Sequence, residues 1–186
     1  NDGGYPMSAT MLKKINYLIC IGLGDDWSFE ESATLYNKNL KVIMFDAQIN
    51  KLNWIKKIVK EFFQLFKLKL NINKILNIFL LYFKYLIFFN KKNISHIKKN
   101  VTSSENKRIK NTNEKNLKEI LFKRNKNNII LKIDIEGYEY RILDDILKHQ
   151  KIIEFLIIEF HDVDLMEEHI KKFIKKLKLD LVHVHV

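Results

Sequence analysis

The stretch Ile129–Tyr140, IILKIDIEGYEY, decides the fold. Its first six residues, Ile129–Asp134, are apolar except for Lys132 and close on an acid. That is the pattern of a strand covered on both faces. Glu136-Gly137 then punctuates the chain as a turn. Tyr138–His149 resumes with Leu143, Ile146 and Leu147 at helical spacing, so a strand–turn–helix unit is expected. In an open α/β sheet, ligands lie beyond the carboxyl ends of the strands, which makes Asp134 and Glu136 candidate site residues. The competing reading of Asp134 is a cap on the following helix.

Upstream the same unit recurs. Asn16–Ile21, NYLICI, reads as a strand and runs into Gly22-Leu23-Gly24-Asp25-Asp26-Trp27. Ser28–Asn37 then reads as a helix, with Ser28 and Glu31 in the S-x-x-E spacing of a capping box. Glycines in such a turn let the backbone approach a ligand closely. The third glycine of the dinucleotide fingerprint is absent, Trp27 standing in its place, and acids in the turn repel phosphate; both argue against NAD. Lys41–Phe45 is a second strand, closed by Asp46. An acid at this place accepts hydrogen bonds from the ribose hydroxyls of an adenosine ligand, and the plainer alternative is a helix cap. Downstream, Ile152–Phe160 reads as a further strand and delivers His161-Asp162, a pair suited to holding a proton or a metal. Asp164–Leu177 has the spacing of an amphipathic helix. Asp180–Val186 alternates and sets His183 and His185 on one face of a strand.

The net charge of +11 is unevenly placed: −2 over residues 1–50, +16 over 51–128 and −3 over 129–186. Lys51–Leu70 and Asn71–Asn90 both show helical spacing. The second is long enough to span a bilayer, but Lys74, Asn77 and Lys84 interrupt it. An intramembrane lysine costs about 3 kcal/mol, so a packed or interfacial helix is expected rather than a spanning one. Asn93–Val101 is the expected third strand and Asn116–Phe122 a short helix. A basic middle segment suits nucleic acid or anionic lipid, while joint enrichment in Lys, Asn and Ile also follows from A/T-rich coding. The single cysteine, Cys20, excludes a disulfide framework within the chain and fits a reducing compartment. With no secretory signal in view, the expected location is cytoplasmic. The start at Asn1 and the stop inside the alternation Leu181–Val186 lead to the expectation of a fragment cut at both ends.

Taken together, NDGGY (1–5), IGLGDDWSFE (21–30), VIMFDA (42–47), LKIDIEGYEYRIL (131–143), IIEFH (157–161) and LVHVHV (181–186) resemble the FkbM-type methyltransferases of the class I S-adenosylmethionine-dependent superfamily. The resemblance covers roughly residues 1–50 and 129–186. It implies an α/β fold: a Rossmann-like, doubly wound, mostly parallel sheet with flanking helices. Residues 1–186 are then a single domain in which 51–128 is a basic helical insertion. It implies S-adenosylmethionine as the cofactor, with Gly22, Gly24 and Asp25 at its methionine end and Asp46 on its ribose. Asp134 and Glu136 would lie near the sulfonium and the acceptor, with His161 as the base candidate. Relatives methylate oxygen atoms of small metabolites, sugars and glycans, so the expected partner is such an acceptor. No nucleic acid is expected, and peripheral membrane contact is left open. Two readings of the acceptor chemistry stand side by side: a base, or a divalent cation held by Asp134, His161 and Asp162. The rival function is a non-catalytic basic module that binds nucleic acid or anionic membrane through residues 51–128. Its aromatics recur at helical spacing, which favours core over base stacking.

Overall fold

The structure, a computed structural model, describes residues 7–24, 26–49, 51–63, 72–104, 113–122 and 128–180. The expected segments NDGGY and LVHVHV, and Asp25, lie outside them.

Five parallel strands form one sheet: β1 (Tyr17–Ile21), β2 (Lys41–Phe45), β3 (Ile94–Ile97), β6 (Ile129–Ile133) and β7 (Ile153–Ile158). Their order across the sheet is β3-β2-β1-β6-β7, so the strand order reverses between β1 and β6. Every residue of β6 is buried, as its apolar run predicts, Lys132 included. A second, two-stranded parallel sheet pairs β4 (Asn100–Thr102) with β5 (Glu114–Asn116).

The pleat sends alternate side chains into two separate cores. Leu18, Cys20, Val42, Met44 and Ile130 pack with Leu12 of α1 (Ala9–Lys14), Ala33 of α2 (Ser28–Tyr36) and Tyr85 and Phe88 of α4 (Ile72–Phe89). Ile19, Ile21, Ile43, Phe45, Leu131 and Ile133 face the other way. They pack with α5 (Leu117–Phe122), α6 (Leu143–His149) and α7 (Val163–Lys176). This is a doubly wound α/β architecture, with helices on both faces of the parallel sheet. Helix α3 (Lys51–Phe63) packs on α4 through Trp54, whose ring lies 6.1 Å from that of Tyr82 and 6.2 Å from that of Tyr85.

Three local expectations change in detail. Ser28 does not cap α2; it is the first helical residue, Trp27 holds the cap position, and the Asp26 carboxylate accepts the Ser28 N–H at 2.8 Å. The Glu31 N–H that a Ser28 cap would take is instead bonded to the Trp27 carbonyl at 2.9 Å. The expected third strand divides at Lys98-Lys99, where Lys99 N–H turns back on the Ile97 carbonyl, so β3 joins the main sheet and β4 the small one. The helix expected from Tyr138 begins as a 3-10 turn, Glu139–Arg141, before α6. The side chain of Glu139 reaches back into the preceding loop, where its Oε1 accepts the N–H groups of Ile135 and Gly137.

Lys132 is the polar exception in β6. It lies beside Cys20 in register, under α2, where its ammonium meets Glu30 at 2.9 Å with both side chains buried. Burial works against the lysine charge, but Glu30 outweighs it and raises the Lys132 pKa. Burial, with Glu30 beside it, pushes the Cys20 thiol up, so this cysteine stays protonated.

Candidate active site at the carboxyl edge of the sheet

Four strands of the main sheet deliver candidate residues to one edge: Gly22 and Gly24 after β1, Asp46 after β2, Asp134 and Glu136 after β6, and His161 after β7. Backbone bonds hold these exits together. Gly22 N–H donates to the Phe45 carbonyl at 2.9 Å, Asp134 N–H to Ile21 at 2.9 Å, and Glu159 N–H to Ile133 at 3.0 Å.

Gly22 is set by close approach. A Cβ built on it would lie 1.6 Å from the Asp134 carbonyl oxygen, and its φ is +88°. Any side chain would push β1 and β6 apart at the point where the strand order reverses. Gly24, in contrast, opens onto free space, with nothing within 4 Å of a built Cβ. The turn after β1 therefore presents bare backbone to whatever binds there.

Asp46 ties that turn to β2. Its Oδ2 accepts the Leu23 N–H at 3.1 Å, and its Oδ1 accepts those of Gln48 at 2.6 Å and Ile49 at 3.1 Å. A carboxylate has about four acceptor positions, so this arrangement leaves roughly one for a ligand hydroxyl. Behind it, His96 Nε2 donates to the Asp46 carbonyl at 2.9 Å and Tyr85 O–H donates to His96 Nδ1 at 2.9 Å. That tautomer follows from the carbonyl, which can only accept. Burial, the largest influence, lowers the His96 pKa, which keeps the ring neutral.

Asp134, Glu136 and His161 converge, each offering one donor atom within 4.8 Å of the others. His161 Nε2 lies 3.8 Å from Asp134 Oδ1 and 3.5 Å from Glu136 Oε2. On the far side of the ring, Nδ1 lies 3.0 Å from Oε1 of Glu139. Glu139 is fully buried, and the same oxygen also accepts the N–H groups of Ile135 at 2.9 Å and Gly137 at 3.3 Å. An acceptor ringed by donors requires Nδ1 to donate, so in the neutral ring Nε2 carries the lone pair, turned toward Asp134 and Glu136. Tyr140 O–H, donating to the His161 carbonyl, braces the same loop. Burial works to lower the His161 pKa, but the Glu139 hydrogen bond and charge, with Glu136 and Asp134, raise it above the ordinary value. Burial also raises the pKa of Asp134, reinforced by Glu159 and Glu136 and opposed by Lys132 and His161.

The backbone is unusual at this spot. Glu136 and Asp162 have φ of 54° and 50°, left-handed values for side-chain-bearing residues, and Gly137 between them has φ 90°. Asp162 Oδ2 lies 3.2 Å from where a Gly137 Cβ would be. Such conformations cost on the order of 1–3 kcal/mol each and concentrate at functional sites. Here they aim Glu136 and His161 at one point from two loops.

The structure thus groups Asp134, Glu136 and His161 in one cluster and places Gly22 against Asp134. Asp46 sits one strand beyond Gly22, after β2, with its carboxylate on the Leu23 N–H of the β1 turn. Sequence reasoning assigned no role to Glu139, which holds His161, nor to Tyr140. The signal in hand was an acid two residues past the Gly137 turn, inside a segment read as plain helix. The cluster's one imidazole nitrogen and two carboxylate oxygens form a donor set that could hold a divalent cation. The turn after β1 and the acid after β2 fit an adenosine-type cofactor, because bare backbone and one remaining carboxylate position are what such a ligand needs there.

No curated protein and no solved structure matches this chain. In a comparison with models of known protein families, the Methyltransferase FkbM domain matches residues 17–180, from the first residue of β1 to beyond α7. The match takes in every strand of the main sheet and every described residue of the cluster, and on it the chain belongs to the FkbM methyltransferase family.

Proposed function

We propose that this protein transfers the methyl group of S-adenosylmethionine to a hydroxyl oxygen of a sugar, glycan or other small metabolite. The observation that carries the reading is the imidazole of His161, held at Nδ1 by a buried carboxylate and turned at Nε2 toward Asp134 and Glu136 at the carboxyl edge of the sheet. When bound, S-adenosylmethionine supplies an electrophilic methyl group on a positively charged sulfur.

Gly22 and Gly24 let the chain pass close beneath the cofactor, and Asp46 offers its remaining acceptor position to the ribose. Asp134 and Glu136 orient the acceptor hydroxyl by accepting or sharing its proton. His161 Nε2 takes that proton as the oxygen attacks, and Glu139 stabilises the resulting imidazolium without moving. Attraction of the cofactor's charge by Asp134 would not by itself speed the step, because that charge disperses as the methyl leaves. Alignment is the larger contribution, worth up to ~7–11 kcal/mol in favourable cases.

A second reading rests on the donor set: a divalent cation on Asp134, Glu136 and His161 would polarise the acceptor oxygen. The two exclude each other at His161, since one lone pair cannot both bind a cation and take a proton. The test is calorimetry with S-adenosylmethionine and S-adenosylhomocysteine, followed by methyl-transfer assays over a panel of hydroxylated acceptors before and after exhaustive chelation. Cofactor binding and chelation-resistant turnover are expected. Absence of cofactor binding would sink the proposal, and turnover lost on chelation and restored by a divalent cation would move His161 from base to ligand.

A further inference from the structure

We propose that helix α4 seats the protein on an anionic membrane surface, lying in the plane of the lipid headgroups. The helix carries apolar side chains on two opposite sides. One side belongs to the fold: Tyr85 and Phe88 are buried against the sheet, with Leu81 packed beside them. The opposite side carries Leu76, Phe79, Leu80, Phe83, Leu86 and Ile87, all exposed, with Leu80 at 59 %, Phe83 at 58 % and Ile87 at 68 %. These positions fall within about 120° of arc at 100° per residue, so they form one stripe along the helix. A helix with a second apolar face turned to water has an occupant for that face.

Charge chooses the occupant. The only ionisable side chains of α4 besides tyrosines are Lys74 and Lys84, and no acid lies on it. Lys84 borders the stripe, and exposed Lys56 and Lys60 stand on the packed helix α3 beside exposed Ile55 and Val59. Residues 51–92 hold ten lysines against one acid, Glu61. A second copy of this chain would bring two such basic surfaces together, whereas anionic lipid attracts them. Lysines at the border of an apolar stripe extend their ammonium groups to the headgroups while their stems lie along the apolar face. Spanning is not the mode: among the described residues no helix is long and apolar enough to cross a membrane, and the buried side of α4 is committed to the sheet.

The experiment is co-sedimentation of the whole chain with vesicles of phosphatidylcholine alone and of equal parts phosphatidylcholine and phosphatidylserine. The expected result is pelleting with the anionic vesicles and at least tenfold weaker pelleting with the neutral ones. The variant Leu80→Asn, Phe83→Asn, Ile87→Asn keeps every charge and should bind anionic vesicles at least tenfold more weakly. As a second reading that leaves the rest of the stripe intact, Phe83→Cys labelled with an environment-sensitive fluorophore should shift to the blue on anionic vesicles. Three outcomes would overturn the proposal: no pelleting with anionic vesicles, binding that ignores both the substitutions and the label, or a stable dimer in which the label is already shielded without lipid.

Discussion

Replacing Glu139 by Gln tests the arrangement around His161 most directly. The substitution keeps the shape and leaves an oxygen to accept from Ile135, Gly137 and His161, but removes a buried negative charge 3.0 Å from Nδ1. At that separation the attraction between unit charges is about 1.4 kcal/mol at the dielectric of water and about 5.5 kcal/mol at an effective value near 20. A hydrogen bond to a charged group, about 1.5–3 kcal/mol net, lies between these limits. At about 1.4 kcal/mol per factor of ten, the plateau rate of methyl transfer should fall roughly tenfold to a hundredfold. The pH dependence carries a second, independent signature. His161 works as a base only when neutral, so activity rises with pH through its pKa, which Glu139 holds above the ordinary histidine value. Without that charge the pKa falls, and the acidic limb of kcat/KM must move to lower pH while the plateau drops. Nitrogen NMR of the His161 ring, read on the protein without acceptor, should show the same downward move and Nδ1–H as the neutral tautomer of the parent. A variant whose plateau falls while its acidic limb and ring titration stay in place would refute the linkage and remove His161 from the role of base.

Three further outcomes follow from the same geometry. Lys132→Met should destabilise the fold by roughly 3–5 kcal/mol in denaturant titration, because it strands the fully buried Glu30, and pairing it with Glu30→Leu should recover most of that loss. Asp134→Asn should raise stability at neutral pH: a raised folded-state pKa means folding favours the protonated acid, so the cost is present above that pKa and vanishes as pH falls through it. Melting temperatures across pH should therefore converge at low pH, and the same variant should lose methyl transfer at least tenfold with little change in cofactor affinity; retained turnover with lost affinity would make Asp134 a cofactor contact instead. Gly22→Ala should yield little folded protein, since its Cβ would occupy the place of the Asp134 carbonyl, whereas Gly24→Ala meets open space and should cost only the roughly 1–2 kcal/mol of placing an alanine at a left-handed φ of 56°.

The local pattern of the chain determined the element order by itself. Predominantly apolar runs place β1, β2, β6 and β7 within a residue or two of their observed bounds, because strands largely covered by helices on both faces of a parallel sheet are apolar along most of their length. Parallel strands separated by helices then force doubly wound connections, and that topology alone carries Asp134 and His161 to the same edge. Tertiary structure decided what separation along the chain conceals. Glu139 and His161 are 22 residues apart and Glu30 and Lys132 are 102 apart, and neither pairing leaves a periodic trace. The left-handed turns at Glu136 and Asp162 are equally invisible, because non-glycine residues adopt them only when surrounding contacts hold them there. In α4 the sequence established an apolar helix, but not which side the sheet would bury. That choice belongs to Tyr85 and Phe88 packing on the sheet, and it leaves Leu80, Phe83 and Ile87 facing outward.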